Sequence, residues 1–293
     1  MSDPTAGVPP EVAIAADLRP FVAARYGYSM QGVPTSVHRG LPSVSLAMVL
    51  PIGRPLRTAR SWRDWAAGRL DTNRTVLGGL HTRVVPVELL EHSCGIQLAL
   101  DPIGVRRLFG IPASALPTDQ FDVGELLGDE IDRLADELAG IADWAGRYAA
   151  VDHFLRRSLA GTDAATAVKP EVARAWTLLA RGRGKAQVEQ ISRDVGYSRK
   201  RLTDLFRAEL GITPRMAGRL ARFDAARATL AGRVRRDRSA TGLDLAGLAA
   251  DHGYFDHAHL VRDFHDFAGL SPSAWVAAEF PNIQAARPAG PAE

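Results

Sequence analysis

Hydrophobic and polar positions alternate most regularly between Ile191 and Pro214, in ISRDVGYSRKRLTDLFRAELGITP. Leu202, Leu205 and Phe206 fall on one face of a helix, while Lys200, Thr203, Asp204 and Arg207 form the opposite stripe at i, i+3, i+4 and i+7. A looser copy, LAADHGYFDHAHLVRDFHDFAGLSP, runs from Leu248 to Pro272. There Leu260, Phe264 and Phe267 share the apolar face, and Ala258, Val261, Arg262 and His265 lie opposite. The lead segments align at a displacement of 57 residues (Ile191 with Leu248, Gly196 with Gly253, Tyr197 with Tyr254). The second segments align at 58 (Leu202 with Leu260, Phe206 with Phe264, Gly211 with Gly269, Pro214 with Pro272), so one residue is added in the turn.

Each copy predicts a helix, a tight turn and a second helix. Gly196 and Gly253 stand where a chain leaving a helix favours positive φ. Ser198 and Asp256 can cap the next helix, and the GITP and GLSP endings place proline first in another. Between the copies, Met216, Leu220, Phe223 and Leu230 keep helical register over Pro214–Ala231. Eighteen such residues span about 27 Å, which with part of a helix width approaches the roughly 34 Å of one DNA turn. The arginine-rich Arg233–Arg238 is expected to be a loop, offering either phosphate contacts or plain solvated charge.

The N-terminal half has a different rhythm. Val44–Ile52, Arg74–Leu89 and Cys94–Pro102 are β-favouring runs punctuated by Gly and Pro. A short helix comes after Pro102 and stops at Gly110. Leu127, Ile131, Leu134, Leu138 and Ile141 then alternate four-three-four-three, and a second helix covers Trp144–Leu159. The apolar stripe of this pair suits either packing onto the sheet or a dimer face. The expected division is a β-rich domain over 1–160, a linker over 161–169, a helical domain over 170–281 opened by Pro170, and a disordered tail over 282–293. The fold class is α+β.

Charge sharpens this picture. Residues 1–160 hold 16 Lys/Arg and 18 Asp/Glu, residues 169–238 hold 18 and 7, and residues 239–293 hold 2 and 7. The net charges of −2, +11 and −5 give a basic block inside a weakly acidic chain, the electrostatic footprint of nucleic-acid binding or of an arginine-rich solvated surface. On this split, the first copy and the linking helix supply general attraction to phosphate, Arg207 among them, and the second copy reads bases with Arg262 on guanine. Mild acid would offset the negative charge of the second copy through His252, His257, His259 and His265.

Neither a secretory signal nor a membrane-spanning run is expected, which points to a cytoplasmic location. The single cysteine, Cys94, excludes an internal disulfide and a structural Cys-based zinc site, and it reads as a small core residue. His38, His81 and His92 are possible metal ligands, but the His-x-His spacing with a following Glu is missing. No paired carboxylates, phosphate loop or activated serine can be identified, so neither an enzyme nor any cofactor is expected. The alternative is an enzyme, with a cupin-like metal site or as a DNA-repair alkyltransferase, carrying a DNA-binding domain.

DVGYSRKRLTDLFRAELGITP and DHGYFDHAHLVRDFHDFAGLSPSAW resemble the two motifs of AraC/XylS-type transcription regulators. HRGLPS (His38–Ser43), GGLHTR (Gly78–Arg83) and GIQLALDPIGVRRLFG are similar to sensor domains joined to such motifs in actinobacterial regulators. The resemblance implies a β-rich, cupin-like domain for ligand sensing or dimerisation, then a seven-helix DNA-binding domain. Carried over residue by residue, the base-facing positions are Arg199, Lys200, Thr203 and Asp204, then His257, Ala258, Val261 and Arg262. Asp204 departs from the cationic residue often found there; it either accepts from a cytosine amine or pairs with Lys200 and Arg207 in its own helix. Implied partners are double-stranded DNA, with RNA polymerase, a small-molecule effector and a second copy of the chain as further ones. Activation is the commoner mode in the family.

Overall fold

In a computed structural model of the protein, residues 9–280 are described, except 11, 33, 118–120, 123, 164, 165, 238, 240 and 241. The tail expected to be disordered lies outside the described residues. The N-terminal half forms two antiparallel sheets. The first has the order β1-β8-β3-β6-β9, from Val22–Met30, Ser93–Leu100, Leu46–Pro51, Val76–Leu77 and Phe121–Asp122. The second has the order β2-β7-β4-β5, from Ser36–Gly40, Val85–Leu89, Leu56–Thr58 and Asp71–Asn73. Among the described residues five α-helices accompany them: α1 (Trp62–Ala66), α2 (Val105–Phe109), α3 (Gly124–Leu127), α4 (Asp129–Gly140) and α5 (Trp144–Gly161). The fold is α+β.

Two of the three β-favouring runs are single strands, β3 and β8, but Arg74–Leu89 is not. It is cut into β6, which pairs with β3, and β7, which belongs to the other sheet. The crossing occurs at Gly78–Val84, where Gly79 donates its amide to the Pro117 carbonyl at 2.8 Å. A Cβ at Gly79 would meet the Leu116 carbonyl oxygen at 2.8 Å, so only glycine passes there.

Helix α5 lies across β1 and β8. Tyr148 and Trp144 approach Gly27 so closely that a Cβ would sit 2.5 Å from the tyrosine hydroxyl. Arg147 is wholly buried; its Nε donates to the Ile141 carbonyl at 2.9 Å and its guanidinium covers the Trp144 ring at 5.0 Å. One of its Nη atoms stands 3.8 Å from Cys94 Sγ, which places the lone cysteine in the core. The apolar stripe of α4 is used here too. Ile131, Leu134 and Leu138 are at most 2% exposed within the chain itself, Ile141 sits at the helix C-cap, and Asp129, Glu130, Asp136 and Glu137 face solvent. Packing thus takes the stripe that a dimer would have used.

Among the described residues seven helices make up the C-terminal half: α6 (Pro170–Arg181), α7 (Val188–Asp194), α8 (Arg199–Leu210), α9 (Pro214–Asp237), α10 (Leu245–Asp251), α11 (His257–Ala268) and α12 (Pro272–Glu279). Helix α9 is the spine, burying Ala217, Leu220, Phe223, Ala226, Leu230 and Val234. It runs six residues beyond the expected end at Ala231. Arg233–Asp237 is therefore helical rather than a loop, because Val234, 0% exposed, continues the apolar face that the flanking arginines obscure. Arg238 lies outside the described residues.

The two halves touch through α8. Ser114 Oγ donates to the carbonyl of Ala208, one of the last-turn acceptors that a helix cannot satisfy internally, and Arg106 pairs with Glu209 at 2.9 Å. Where they meet elsewhere, a groove of about 520 Å³ opens along α6 and α9 with Val44 at its rim.

Because α4 is anchored inside its own chain, Leu138→Ala is expected to cost about 2–5 kcal/mol in urea unfolding at unchanged oligomeric mass. A change of mass at unchanged stability would restore the dimer face.

Candidate DNA-binding face

The two motifs are built by the same local chemistry. In the first, Gly196 (φ 73°) donates to the Arg193 carbonyl and Tyr197 to that of Ser192. In the second, Gly253 (φ 70°) donates to Ala250 and Tyr254 to Ala249, the positions 57 residues on. Positive φ at both turns is the backbone state that glycine enters without a Cβ penalty. Ser198 Oγ accepts from the amide of Arg201 and Asp256 Oδ1 from that of His259, so both second helices are capped as expected. Gly211 and Gly269 end them in the left-handed region, and the hydroxyls of Thr213 and Ser271 cap α9 and α12.

Caps and turns together fix which faces remain free. Leu202, Phe206 and Leu210 of α8 and Leu260, Phe264 and Phe267 of α11 are buried. Arg199, Lys200, Asp204 and Arg207 are exposed on α8, as are His257, Ala258 and Arg262 on α11; Thr203 and Val261 are half-buried. Two positions have partners within the chain: Arg199 pairs with Glu189 at 2.9 Å, and the Thr203 hydroxyl donates to the Arg199 carbonyl at 2.8 Å. Asp204 makes no ion pair among the described residues, so pairing with Lys200 or Arg207 is not formed.

The linking helix departs from the sequence expectation. Much of its positive charge is directed at the second motif. Arg219 donates to the Asp263 carboxylate through Nε (3.1 Å) and Nη2 (2.6 Å), and also pairs with Asp266. Arg233 pairs with Asp251 at 2.9 Å, and Arg222 donates to the Gly253 carbonyl while covering the Tyr254 ring. Phe223 meets Phe264 edge-on and Phe267 at a tilt, with ring centroids 5.1 and 5.0 Å away. The second motif thus folds back along α9 instead of extending from its end. The arginines of α9 and the carboxylates of the last segment, far apart in charge count, are one network. Periodicity could not pair them, although their opposite signs at three positions were a usable signal.

Electrostatics inside that network are shifted by burial. Burial and the adjacent Asp263 carboxylate push the Tyr254 hydroxyl well above the ordinary phenol range. His252, buried under the turn with Nε2 3.0 Å from Thr229 Oγ1, has its pKa lowered below 6.5 by burial and then by Arg183 and Lys185. Of the four histidines counted in this motif, His252 therefore takes up a proton less readily than an ordinary imidazole. The candidate metal-ligating histidines each have a different neighbour: His81 Nδ1 contacts the Arg83 carbonyl, His92 is exposed beside Glu91, and His38 stands 4.0 Å from Glu279. Among the described residues no group of three or more His, Cys, Asp or Glu could hold a metal ion, and no helix is long and apolar enough to cross a membrane.

Comparison with known families agrees with this geometry. Residues 191–278 match the family described as a helix-turn-helix domain, and the C-terminal segment is a DNA-binding helix-turn-helix domain of the AraC type. The chain is also similar to the crystal structure of ToxT from Vibrio cholerae O395, at 11% identity, covering 86% of this chain and 96% of that one with a TM-score of 0.47. Unsaturated fatty acid bound wild-type ToxT from Vibrio cholerae strain SCE256 aligns at 11% identity over 87% and 94%, with a TM-score of 0.47. ToxT from Vibrio cholerae O395 bound to (E)-4-(8-methylnaphthalen-1-yl)but-3-enoic acid aligns at 11% over 86% and 97%, with a TM-score of 0.46. No curated protein matches the chain.

Two outcomes are expected from the α9 network. Arg219→Ala leaves the Asp263 carboxylate buried without its cation and is expected to cost about 3 kcal/mol in urea unfolding. For His252, the unfolded state takes up more protons below pH 6.5 than the folded state does, so stability is full above that pH and declines below it. The melting temperature of the wild-type chain should therefore fall more steeply from pH 7 to pH 5 than that of His252→Gln; parallel curves would remove His252 as the cause.

Proposed function

We propose that the chain is a sequence-specific transcription regulator that lays α8 and α11 in successive major-groove segments of one duplex. The observation that carries this is the repeated geometry: two motifs with the same turn hydrogen bonds and caps, each exposing one stripe, fastened to a shared helix. On this reading residues 170–281 form the DNA-binding domain, joined through 161–169 to a sensing and dimerising domain over 1–160. Arg199, Lys200, Thr203 and Asp204 face bases in the first half-site, with Arg207 on phosphate. His257, Ala258, Val261 and Arg262 do so in the second. Arg199 must leave Glu189 to reach DNA, an exchange of one exposed ion pair for another that costs little.

Regulation would enter through the contacts of Ser114 and Arg106 with the last turn of α8. A small molecule bound in the N-terminal half, or in the groove beside Val44, would shift those contacts according to its differential affinity for the two arrangements. RNA polymerase is the partner an activator would recruit.

The test is selection of bound duplexes from a randomised pool by the full chain, followed by titration at several salt concentrations. Arg262→Ala is expected to relax preference at one or two positions of one half-site, since a bidentate arginine–guanine pair gives roughly 1–3 kcal/mol of discrimination. Arg207→Ala should weaken all sequences and flatten the logarithmic salt slope by about one unit. Equal weakening of specific and random DNA by Arg262→Ala, or a changed preference without a changed slope for Arg207→Ala, would contradict these roles.

A further inference from the structure

The residue added in the second motif is Phe255. In the first motif the chain passes from Tyr197 directly to the capping Ser198; in the second, Phe255 stands between Tyr254 and the capping Asp256. It is 93% exposed, far more than the other large exposed hydrophobic residues, Tyr26 at 57% and Val12 at 44%, which lie in the N-terminal half. Its backbone is nevertheless placed: the amide faces His259 Nδ1 at 3.5 Å, while the neighbouring Tyr254 is buried. An aromatic ring outside the core contributes nothing to folding by burial, so folding does not account for a phenyl group at this position.

Position indicates what that is. Phe255 immediately precedes the cap of α11, at the same end as His257 and Ala258. Phe255 is exposed before the extended cap, Ala258 is exposed in the first turn of the helix and Val261 is half-buried one turn on, so the leading end of α11 carries three apolar side chains. The first motif carries Lys200 and Thr203 where the second carries Ala258 and Val261, and has nothing in the place of Phe255. At these positions the first motif thus carries hydrogen-bonding and charged groups and the second apolar ones. On the major-groove edges of DNA the apolar group is the thymine methyl, and small apolar and phenyl side chains are the groups that meet it.

We propose that the second motif reads thymine methyl groups through Phe255, Ala258 and Val261, so that its half-site is thymine-rich and Phe255 is a specificity-determining residue. This rests on the DNA-binding reading above. Arg262 and His265, on the same helix, supply the hydrogen bonds that orient these side chains. The first motif, with no such set, is indifferent to the methyl group.

The experiment uses the full chain and a duplex enriched from a randomised pool, with thymines replaced singly by deoxyuridine, which removes the methyl and keeps every hydrogen-bonding group. Loss of affinity is expected at two or more positions of one half-site, about fourfold for each methyl that was buried. Replacements in the other half-site should change affinity by less than about twofold, within the effect of one methyl. Phe255→Ala should weaken the thymine duplex and abolish the penalty for uracil at one of those positions, with salt slope and melting temperature unchanged. Phe255→Leu should keep part of the effect. Uracil tolerated throughout, or Phe255→Ala weakening thymine and uracil duplexes equally, would overturn the assignment while leaving the DNA-binding reading intact. If no duplex is enriched at all, that reading falls and this one with it.

Discussion

Asp263 is a carboxylate with 1% of its side chain exposed, and the rest of the second motif depends on how it is neutralised. Arg219 of α9 supplies two donors to it and reaches Asp266 as well, while the aromatic contacts of Phe223 close the same joint from the apolar side. A buried ion pair adds little net stability over a hydrophobic pair, but it is intolerant of misplacement, because either charge alone would be stranded. Its contribution is orientation: α11 can sit on α9 in one rotation and register. Arg233 with Asp251 and Arg222 with the Gly253 carbonyl repeat the constraint at α10 and the turn.

The same network changes the meaning of the charge distribution. A net +11 segment beside a net −5 segment suggests one half offered to phosphate and the other repelled by it. In the folded chain the carboxylates Asp251, Asp263 and Asp266 turn toward α9, not toward the exposed stripe of α11. The stripe of the second motif is therefore less acidic than its segment, and on α8 Lys200 and Arg207 are exposed cations that make no ion pair among the described residues. The N-terminal half meets that helix at its other end, through Arg106 and Ser114, leaving the leading turns clear.

Legibility in the sequence tracked the range of the interactions. Turn glycines, the caps at Ser198 and Asp256, and the apolar faces of α8 and α11 are set within a few residues, and each was readable. The strands β1, β2, β4, β5 and β9 were not, because segments such as SVHRG have no strong alternation and are held by pairing with distant partners, here β7. The end of α9 was misplaced because RVRRD looks like solvated charge, and only Val234, 0% exposed, reveals the continuing face. The fold-back of the second motif has no local pattern behind it, since Arg219 and Asp263 are 44 residues apart, and only the opposite charge of the two segments signals it. Among the candidate site residues, exposure could be read from periodicity, whereas the Arg199–Glu189 pair and the back-bonded Thr203 hydroxyl required the structure.

Two motifs held on one spine should engage one face of one duplex together. Hydroxyl-radical footprinting of the full chain on an enriched duplex reads this out at the level of single nucleotides. Two protected segments are expected on the same face, with centres about one helical turn, 10–10.5 base pairs, apart. A single protected segment, or two segments half a turn out of phase, would contradict joint engagement.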